Sequence, residues 1–411
     1  MAGKWMASLI NLRFLNIIHY YHYMKNLLFL FLTSFTTIPI LAQNAENIRV
    51  IPSLTDWIEE INTWPDSVYE VENIKVLIDM DKDSLIAHYH VERLNLTSEN
   101  EEIAAVVKKP IRINHWFIQT DFGTNDLKTI KNIRFKEEVE LRDKQSYGIG
   151  LDNVIFEKEL MFNGQERFSW FNFKNCQFNQ NVTFANFNDF AQITFEDCEL
   201  EEALYTFQIP GAPILRILNT KIKQTIGLGS AELKRLWINK SEINTILLEN
   251  AEINTALYIV DSDIKNIEIE GASLPAFNTY IPFDQVKGKL CISTWANSEY
   301  EYYRAEKDKD FDAQDKYDYL IASYKLLLNG YQNRGDQDSY NSCYVEMKNI
   351  ETRRLAYLHR KNPSFTSYFS WKINQFLKVF SEYGTKPARA IVFSLYVILF
   401  FTALSLLILR H

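Results

Sequence analysis

The chain has 411 residues, a formal net charge of −8 at pH 7 and 47% hydrophobic residues, which is enough for two or three folded domains. Thirteen Gly and ten Pro are too few for a collagen-like or linker-dominated chain. Residues 1–42 contain three basic residues and no acidic one, so a mature chain that lacks them would carry about −11. An acidic surface repels phosphate backbones, which excludes nucleic acid as an expected partner.

The amino terminus has the parts of a secretory signal peptide at residues 24–42. Lys25 supplies a positive start, Leu27 to Leu41 form an apolar segment, and a small residue follows. The Leu-Ala-Gln ending resembles signal exits of Gram-negative bacteria, and residues 1–23 would then be a mis-assigned start or a long positive region. An uncleaved anchor is the alternative, because Ile40, at the third position before the exit, is not small.

Residues 44–107 combine one short helical pattern with two strand patterns. Asp56–Ile61 predicts a helix that ends before Pro65, and Ile74–Ile78 and Leu85–Val91 are typical of strands. The repetitive sheet predicted further along the chain must end in an unpaired edge. We therefore expect this region to form an amino-terminal cap over that edge.

Two groups in this region have the residue types of metal ligands. Asp79, Asp81 and Asp83 offer oxygen ligands for Ca²⁺, but the glycine after the third Asp and a Glu at loop position twelve are missing. His88 and His90 share a strand face without a third ligand at a suitable spacing. A polar turn and a solvated strand face are the favoured interpretations, and no metal site is predicted.

A short phrase recurs between Phe168 and Val286. Two apolar residues separated by one position are followed by any residue, then Asn, Asp or Gly, a small residue, any residue and an apolar residue. From residue 222 onward the closing apolar residues stand at 222, 233, 243, 253, 264 and 274. This fixed spacing of ten or eleven residues, here called one beat of the repeat, indicates stacked structural units. The copies of the closing part are Asn175–Phe178, Asp197–Leu200, Ser230–Leu233, Lys240–Ile243, Asn250–Ile253, Asp261–Ile264 and Gly271–Leu274.

The repeating unit is a strand and not a helix, because turn formers interrupt each apolar run after a few residues. Leu257–Val260 and Ile267–Glu270 alternate as strands do. Two beats, about 21 residues, would close one turn of a parallel β-helix whose turns lie about 4.8 Å apart. Less regular patterns extend the predicted β-solenoid to residues 108–287, and they are Ile111–Ile113, Ile133–Phe135, Val139–Leu141 and Val154–Phe156.

The repeat resembles that of the pentapeptide-repeat family, whose five-residue unit has a small residue two positions before an apolar centre. Every second pentad of this chain keeps both positions, as in Ala251 and Ile253, and the alternate pentads are loose. The resemblance implies a right-handed quadrilateral β-helix. The spacing by itself implies a β-solenoid, so the fold class is mainly β.

The four cysteines stand at positions 176, 198, 291 and 343 and are too few for a disulfide scaffold. Cys176 and Cys198 are 22 residues apart in the same small-residue position of the repeat. Other copies of this position hold Ala, Ser or Thr, which favours buried thiols that act as small fillers on neighbouring turns. A disulfide or a metal site is the alternative.

The sequence contains no P-loop, serine-hydrolase elbow or zinc-protease motif. Carboxylates such as Glu242, Glu252 and Asp263 fall at outward positions of the repeat, as on a solvated face. A carbohydrate-active β-helix could use a pair of such acids, but no local cluster singles one out. We expect no enzyme activity and assign no catalytic residue, cofactor or metal ligand.

After Gly288 a helical period replaces the alternating one, which predicts a helical hairpin over residues 300–362. Gly335 would end its first helix, and Asp336 or Asp338 would cap the second. Such a hairpin would cover the last turn or bind a protein partner. The apolar stripes are Leu320, Tyr324, Leu327, Leu328 and Tyr331 in the first helix and Tyr340, Tyr344, Met347 and Ile350 in the second.

The carboxy-terminal end carries the strongest functional signal of the sequence. Residues 365–383 predict an amphipathic helix that lies in a membrane interface, and residues 388–409 predict a transmembrane helix. Ala390–Leu409 contains no charge and no proline and would be about 30 Å long as a helix, the thickness of the hydrocarbon core. Basic residues flank both ends of this span and do not set its orientation.

The layout of Tyr383–Ala390, between an amphipathic helix and an apolar span, resembles membrane proteins that join pentapeptide repeats to a potassium-channel-like pore. In that family a filter of the Thr-x-Gly-Tyr-Gly kind and a second span follow. The sequence runs to His411 without either feature, so we expect a relative with one span or a truncated channel.

The sequence thus predicts a non-enzymatic β-solenoid scaffold that one span anchors in the inner membrane of a bacterium, with the solenoid in the periplasm. Its expected partners are the lipid bilayer and a protein bound to the solenoid face or the helical hairpin. A truncated ion channel with a sensory or assembly solenoid is the alternative, although a pore after an exported solenoid would start from the cytoplasmic side. A DNA mimic that binds a topoisomerase is the third hypothesis, which export opposes.

Overall fold

The fold is a parallel β-solenoid followed by helices. The computed structural model describes residues 48–89, 102–120, 128–143, 149–164, 168–186, 190–207, 213–296 and 299–409. The solenoid has about eight turns from residue 49 to residue 280, and one of the helices after it is long and apolar. The predicted β-solenoid with carboxy-terminal helices is confirmed at this level. The signal peptide predicted at 24–42 lies outside the described residues.

The described strands form sheets of fifteen, nine and two strands. The strands are β1 (Arg49–Ile51), β2 (Tyr69–Ile78), β3 (Ala87–Tyr89), β4 (Ala105–Val107), β5 (Ile111–Thr120), β6 (Lys128–Lys131), β7 (Ile133–Phe135), β8 (Val139–Asp143), β9 (Ile149–Asp152), β10 (Ile155–Phe156), β11 (Leu160–Gly164), β12 (Phe168–Lys174), β13 (Gln177–Phe178), β14 (Val182–Ala185), β15 (Phe190–Glu196), β16 (Glu199–Leu200), β17 (Leu204–Phe207), β18 (Ile214–Leu218), β19 (Lys221–Gly227), β20 (Glu232–Asn239), β21 (Glu242–Leu247), β22 (Glu252–Val260), β23 (Asp263–Glu268), β24 (Thr279–Tyr280), β25 (Ile292–Ala296) and β26 (Glu299–Tyr303). The helices are α1 (Leu54–Thr63), α2 (Met80–Asp83), α3 (Gln314–Arg334), α4 (Gln337–Lys361), α5 (Phe365–Ser381) and α6 (Pro387–Leu409), and short 3₁₀ helices lie at Phe283–Gln285 and Asp308–Asp312.

Each full turn contributes strands to three stacked ladders. Two ladders belong to the fifteen-stranded sheet, one through β2, β5, β8, β11, β14 and β17 and the other through β4, β7, β10, β13 and β16. The longer strands β19, β21 and β23 join both of these ladders. The nine-stranded sheet is the third ladder, in which β3 is antiparallel to β6 and the other pairs are parallel.

Partner residues on neighbouring turns are 21 or 22 positions apart through most of the solenoid. Phe171 pairs with Ile193, and Ile193 pairs with Leu215. This spacing agrees with the turn of two beats that the repeat predicts. In the later turns a fourth pairing joins Glu232–Leu233 to Glu252–Ile253, in the part of the chain where the sequence beat is most regular.

One column of the core consists of the closing apolar residues of the repeat. In the early turns it is aromatic, and the rings of Phe135, Phe156 and Phe178 stack with centroid distances of 5.0 and 5.3 Å. All members of this column are buried, so each turn adds the same apolar contact to a continuous core. The aliphatic members that follow are Leu200, Ile222, Ile243 and Ile264.

Left-handed residues form one corner of successive turns. Their φ angles lie between 47° and 58°, a region that Asn and Asp tolerate better than other residues with a side chain. Asn153 Nδ2 donates to Asn132 Oδ1 at 2.8 Å, so corners on adjacent turns are also linked through their side chains. The corner residues are Asn132, Asn153, Asn175, Asp197, Asn219, Lys240 and Asp261.

The residue after the corner is small and buried in five consecutive turns, and these five residues are called the corner ladder: Cys176, Cys198, Thr220, Ser241 and Ser262. Each side chain donates to the backbone carbonyl two residues earlier, over 2.8 to 3.2 Å. Each of the three hydroxyls also accepts the backbone N–H of the ladder residue one turn earlier, over 3.1 to 3.3 Å. The corner ladder therefore pairs buried backbone donors at the bend.

The solenoid begins at β1 and not at residue 108, because β1, β2 and β4 pair in parallel with the turns that follow. Tyr69 pairs with Ile111, 42 positions later, so long connections hide the repeat from the sequence in this region. Helix α1 lies within the stretch predicted as a cap, and Ser53 caps it by accepting the Asp56 N–H at 3.0 Å. Its buried residues are Leu54, Trp57, Ile58 and Ile61.

Two helices and a strand hairpin follow the last turn. The Tyr331 hydroxyl donates to the Ile281 carbonyl at 2.7 Å, and Ser339 Oγ accepts the Phe283 N–H at 3.3 Å. These bonds fix α3 and α4 to the end of the solenoid. The antiparallel hairpin of β25 and β26 was not predicted, since its strands of five residues are too short to separate from a helical pattern by periodicity. The helical hairpin begins at Gln314, not at residue 300.

Replacing Ser241 by Ala should lower the free energy of unfolding by about 1–3 kcal/mol, because the Thr220 N–H loses its buried acceptor. The measurement is chemical denaturation of the detergent-solubilised chain, followed by far-ultraviolet circular dichroism. Ser342→Ala, on the exposed side of α4, is the matched control and should change this free energy by about 0.5 kcal/mol or less. Equal effects of the two substitutions would show that the corner ladder adds no stability.

Candidate functional site

The outward acidic residues of the repeat form surface ion pairs between turns. Glu242 Oε2 lies 3.4 Å from Lys221 Nζ, and Asp263 pairs with Lys287. Glu252 is exposed on the neighbouring strand β22. Exposed pairs of this kind contribute about 0–1 kcal/mol each, so the arrangement is that of a solvated face.

Two of the three aspartates considered as calcium ligands, Asp79 and Asp83, serve as helix caps. The buried carboxylate of Asp83 accepts the N–H groups of Leu54 and Thr55, each at 2.8 Å, at the start of α1. It also accepts the Asp79 N–H at 2.9 Å, and the Asp79 side chain accepts the Asp81 N–H at 3.0 Å. Among the residues that the structure describes, no three His, Cys, Asp or Glu side chains are arranged to hold a metal ion.

The structure describes the two cysteines chosen from the sequence and the backbone of one of the two histidines. His88 lies in β3, and His90 lies outside the described residues. Cys176 and Cys198 are free, buried thiols on neighbouring turns. Burial, and then the hydrogen bond with Cys198, raise the pKa of the Cys176 thiol well above its usual value, so its reactive thiolate is suppressed at neutral pH.

A buried glutamate that sequence reasoning missed, Glu268, lies against the β25–β26 hairpin. Its carboxylate accepts the Ser293 N–H at 2.7 Å and the Ser293 hydroxyl at 2.5 Å. Burial raises the pKa of this carboxyl, the Ser293 bonds oppose the shift, and the charges of Glu249 and Glu270 add to it. The alternation of apolar and polar residues along β23 predicts that Glu268 faces outward into solvent. It does not show that the β25–β26 hairpin, which comes later in the chain, covers this position.

The long apolar helix α6 is exposed over residues 387–405. Its 23 residues span about 34 Å at 1.5 Å per residue. The window Pro387–Ser405 has a mean hydropathy of 1.9 and is 0% buried, and within the described ranges this is the one helix long and apolar enough to cross a membrane. Near its middle, Leu395 and Leu399 are exposed by 55% and 63%. Water is a poor environment for such a surface.

Helix α5 carries a second exposed apolar surface beside α4. His359 Nδ1 in α4 lies 2.8 Å from Ser367 Oγ in α5, which joins the two helices near the start of α5. The apolar side chains on the free side are exposed by 52 to 81%, so they have no protein neighbours that cover them within the described chain. They are Phe365, Phe369, Phe376 and Val379.

A tight turn joins α5 to α6 and is bound to α4. Glu382 and Tyr383 have φ angles of 50° and 59°, and the Tyr383 hydroxyl lies 3.0 Å from Thr352 Oγ1. Glu382 Oε2 lies 2.7 Å from Lys386 Nζ, and Oε1 lies 3.4 Å from Arg389 Nη1. The direction in which α6 leaves the protein is therefore set by contacts with the helices that follow the solenoid.

No family model, no curated protein and no solved structure matches the chain. The resemblance to pentapeptide repeats and to channel-like membrane proteins rests on the residues of this sequence.

Replacing Glu268 by Gln should stabilise the chain at neutral pH, and the gain should vanish in acid. A carboxyl whose pKa is raised on folding costs stability once it ionises, so the free energy of unfolding falls as pH rises from the unfolded pKa near 4.5 through the higher folded pKa. Gln carries no charge and avoids that loss.

The measurement for Glu268→Gln is the difference in unfolding free energy between variant and parent, at about pH 4 and about pH 7.5. Glu252→Gln removes an exposed carboxylate from β22 and is the matched control, for which no such difference between the two pH values is expected. A variant that is less stable than the parent at neutral pH would contradict the argument.

Proposed function

We propose that the chain is a non-enzymatic scaffold of a bacterial envelope, which α6 anchors in the inner membrane with the solenoid in the periplasm. The observation that carries the proposal is the apolar helix of 23 residues, exposed over residues 387–405 and joined by the bound turn at Tyr383 to the helices on the solenoid. Its length matches the hydrocarbon core of a bilayer, and a helix satisfies its own backbone polar groups there.

Helix α5 would lie along the membrane surface next to this anchor. Its exposed phenylalanines offer an apolar face to the lipid boundary. Lys372 Nζ lies 4.1 Å from the centroid of the Trp371 ring, and aromatic and basic side chains together are typical of the headgroup region. This position would hold the solenoid close to the membrane.

The solenoid itself supports a scaffold function. Its stacked turns form a repetitive outer surface, and α1, α3 and α4 pack at its ends, where an unpaired edge would otherwise recruit further strands. We infer a protein partner on the outer face or on the helices. The left-handed Asn and Asp corners and the fourth pairing in the later turns favour a relationship with pentapeptide repeats. The alternative function is that of a truncated ion channel, in which α6 would be a membrane helix and the solenoid a sensory or assembly domain.

The proposed topology predicts that protease added to spheroplasts digests the solenoid, whereas the outer membrane of intact cells protects it. The measurement is an immunoblot with an antibody against the solenoid, with one periplasmic and one cytoplasmic protein as controls. A solenoid that stays intact in spheroplasts, while the periplasmic control is digested, would place it in the cytoplasm and refute the topology.

The proposed anchor predicts that lysines at Leu395 and Leu399 release the chain from the membrane fraction. Each central lysine costs about 2.5–3.5 kcal/mol of insertion free energy. The measurement is the share of the chain that sediments with membranes after a carbonate wash. The matched control, Leu395→Ala with Leu399→Ala, keeps the span uncharged and should stay in the membrane. Release of neither variant would show that α6 is not the anchor.

A further inference from the structure

We propose that a cavity between the β25–β26 hairpin and the start of α3, here called the hairpin cavity, binds a phosphate-bearing anion. Its volume is about 590 Å³, which is in the range of small-molecule sites. The lining residues that favour an anion are Thr294, Tyr302, Arg304 and Lys316. The site is separate from α6, and only the choice of a lipid as the source of the anion rests on the proposed function.

Two half-buried cations in the hairpin cavity face neutral partners. Lys316 Nζ donates to Thr294 Oγ1 at 3.1 Å. Arg304 donates from Nη2 to Asn266 Oδ1, and its guanidinium carbon lies 5.8 Å from the centroid of the Tyr302 ring. Arg304 Nε is a buried donor without a hydrogen-bond partner, and neither cation has a carboxylate at ion-pair distance among the described residues.

Two cations without a salt-bridge partner among the described residues, in a partly closed space, favour a negative group that accepts several hydrogen bonds. Removal of a cation from water is costly unless an opposite charge replaces the water. A phosphate group supplies charge and acceptor oxygens to a guanidinium and an ammonium at once, and such charge-assisted bonds are about twice as strong as neutral ones. A neutral sugar offers no charge, and a metal cation would be repelled.

The exposed rim of the hairpin cavity limits the anion to a single phosphate group. Lys307 and Lys309 lie there with Glu301 and Glu306, so the two charges of each sign offset one another. The Asp310 carboxylate already accepts the N–H groups of Glu306 and Lys307, at 3.0 and 2.8 Å. The remaining positive charge is therefore inside, at Arg304 and Lys316, and the rim acids disfavour a nucleic acid backbone.

A lipid headgroup or a soluble phosphate ester could supply the phosphate, and the position of the hairpin cavity favours the lipid. The 3₁₀ segment Asp308–Asp312 forms part of its wall and is bound to the end of α4, where Asp312 Oδ1 lies 2.7 Å from Lys361 Nζ. Four residues later α5 begins at Phe365, which is 81% exposed. The hairpin cavity is thus linked directly to the surface proposed to meet lipid.

The test is isothermal titration calorimetry on the full chain in a neutral detergent. The probes are inorganic phosphate, dihexanoyl phosphatidylglycerol below its critical micelle concentration, and dihexanoylglycerol, which has the same chains and no phosphate. At least one phosphate probe should bind saturably, and Arg304→Gln with Lys316→Gln should weaken that binding at least about tenfold, because both charge-assisted donors are lost.

The matched control is Lys234→Gln with Lys265→Gln, which removes two exposed cations from the solenoid and gives the same change in net charge. It should leave binding unchanged. If the Arg304 and Lys316 double variant loses its circular dichroism spectrum, Lys316→Gln alone replaces it, with an expected loss of several fold.

The two phosphate probes identify the source of the anion. Binding of inorganic phosphate assigns a soluble phosphate, and binding of phosphatidylglycerol alone assigns a lipid headgroup. Equal binding of dihexanoylglycerol, no saturable binding of either phosphate probe, or binding that the cavity variants leave unchanged would overturn the proposal. None of these results bears on protease access to the solenoid, so the two proposals fail separately.

Discussion

The structure depends on hydrogen bonds at a corner that every turn of the solenoid must make. A backbone N–H at the bend leaves the strand ladder, and without a buried acceptor it would cost about 1–3 kcal/mol. In the later turns the hydroxyls of Thr220, Ser241 and Ser262 accept these donors from the turn before and donate within their own turn. In these turns the hydrogen bonds of the corner are therefore completed by a hydroxyl of the next turn. This requirement explains why the position is small, and why its later copies are hydroxyl residues.

A stack of turns has two ends and an outer surface, and different elements of the chain pack against each of them. Helix α1 packs at the first end, and α3 and α4 are bound to the last turn through Tyr331 and Ser339. The hairpin of β25 and β26 instead lies against strand β23 of the solenoid, where Ser293 covers Glu268. The buried carboxylate of Glu268 therefore lies at the junction of solenoid and helices, whereas the outward acids of the repeat form weak surface pairs.

The proposed functions follow from that junction. The turn at Glu382 and Tyr383 ties the apolar helix α6 to α4, and the 3₁₀ segment beside the hairpin cavity is tied to the end of the same helix. A scaffold held in this way would keep a phosphate-binding cavity at a constant place relative to its membrane anchor. The solenoid would supply a rigid outer surface for a protein partner, and the junction would supply the side chains that bind phosphate.

Local pattern was enough to predict the stacked strands, the helices after them and the long apolar helix, because each depends on spacing within a few residues along the chain. The regular repeat of ten or eleven residues was enough to predict a turn of about 21 residues. The first turns were hidden, since the partners Tyr69 and Ile111 are 42 positions apart. The burial of Glu268 by Ser293 and the meeting of Arg304 with Lys316 in one cavity were decided by the tertiary structure alone. Alternation shows which side of a strand a residue is on, and only the folded chain shows what comes to cover it.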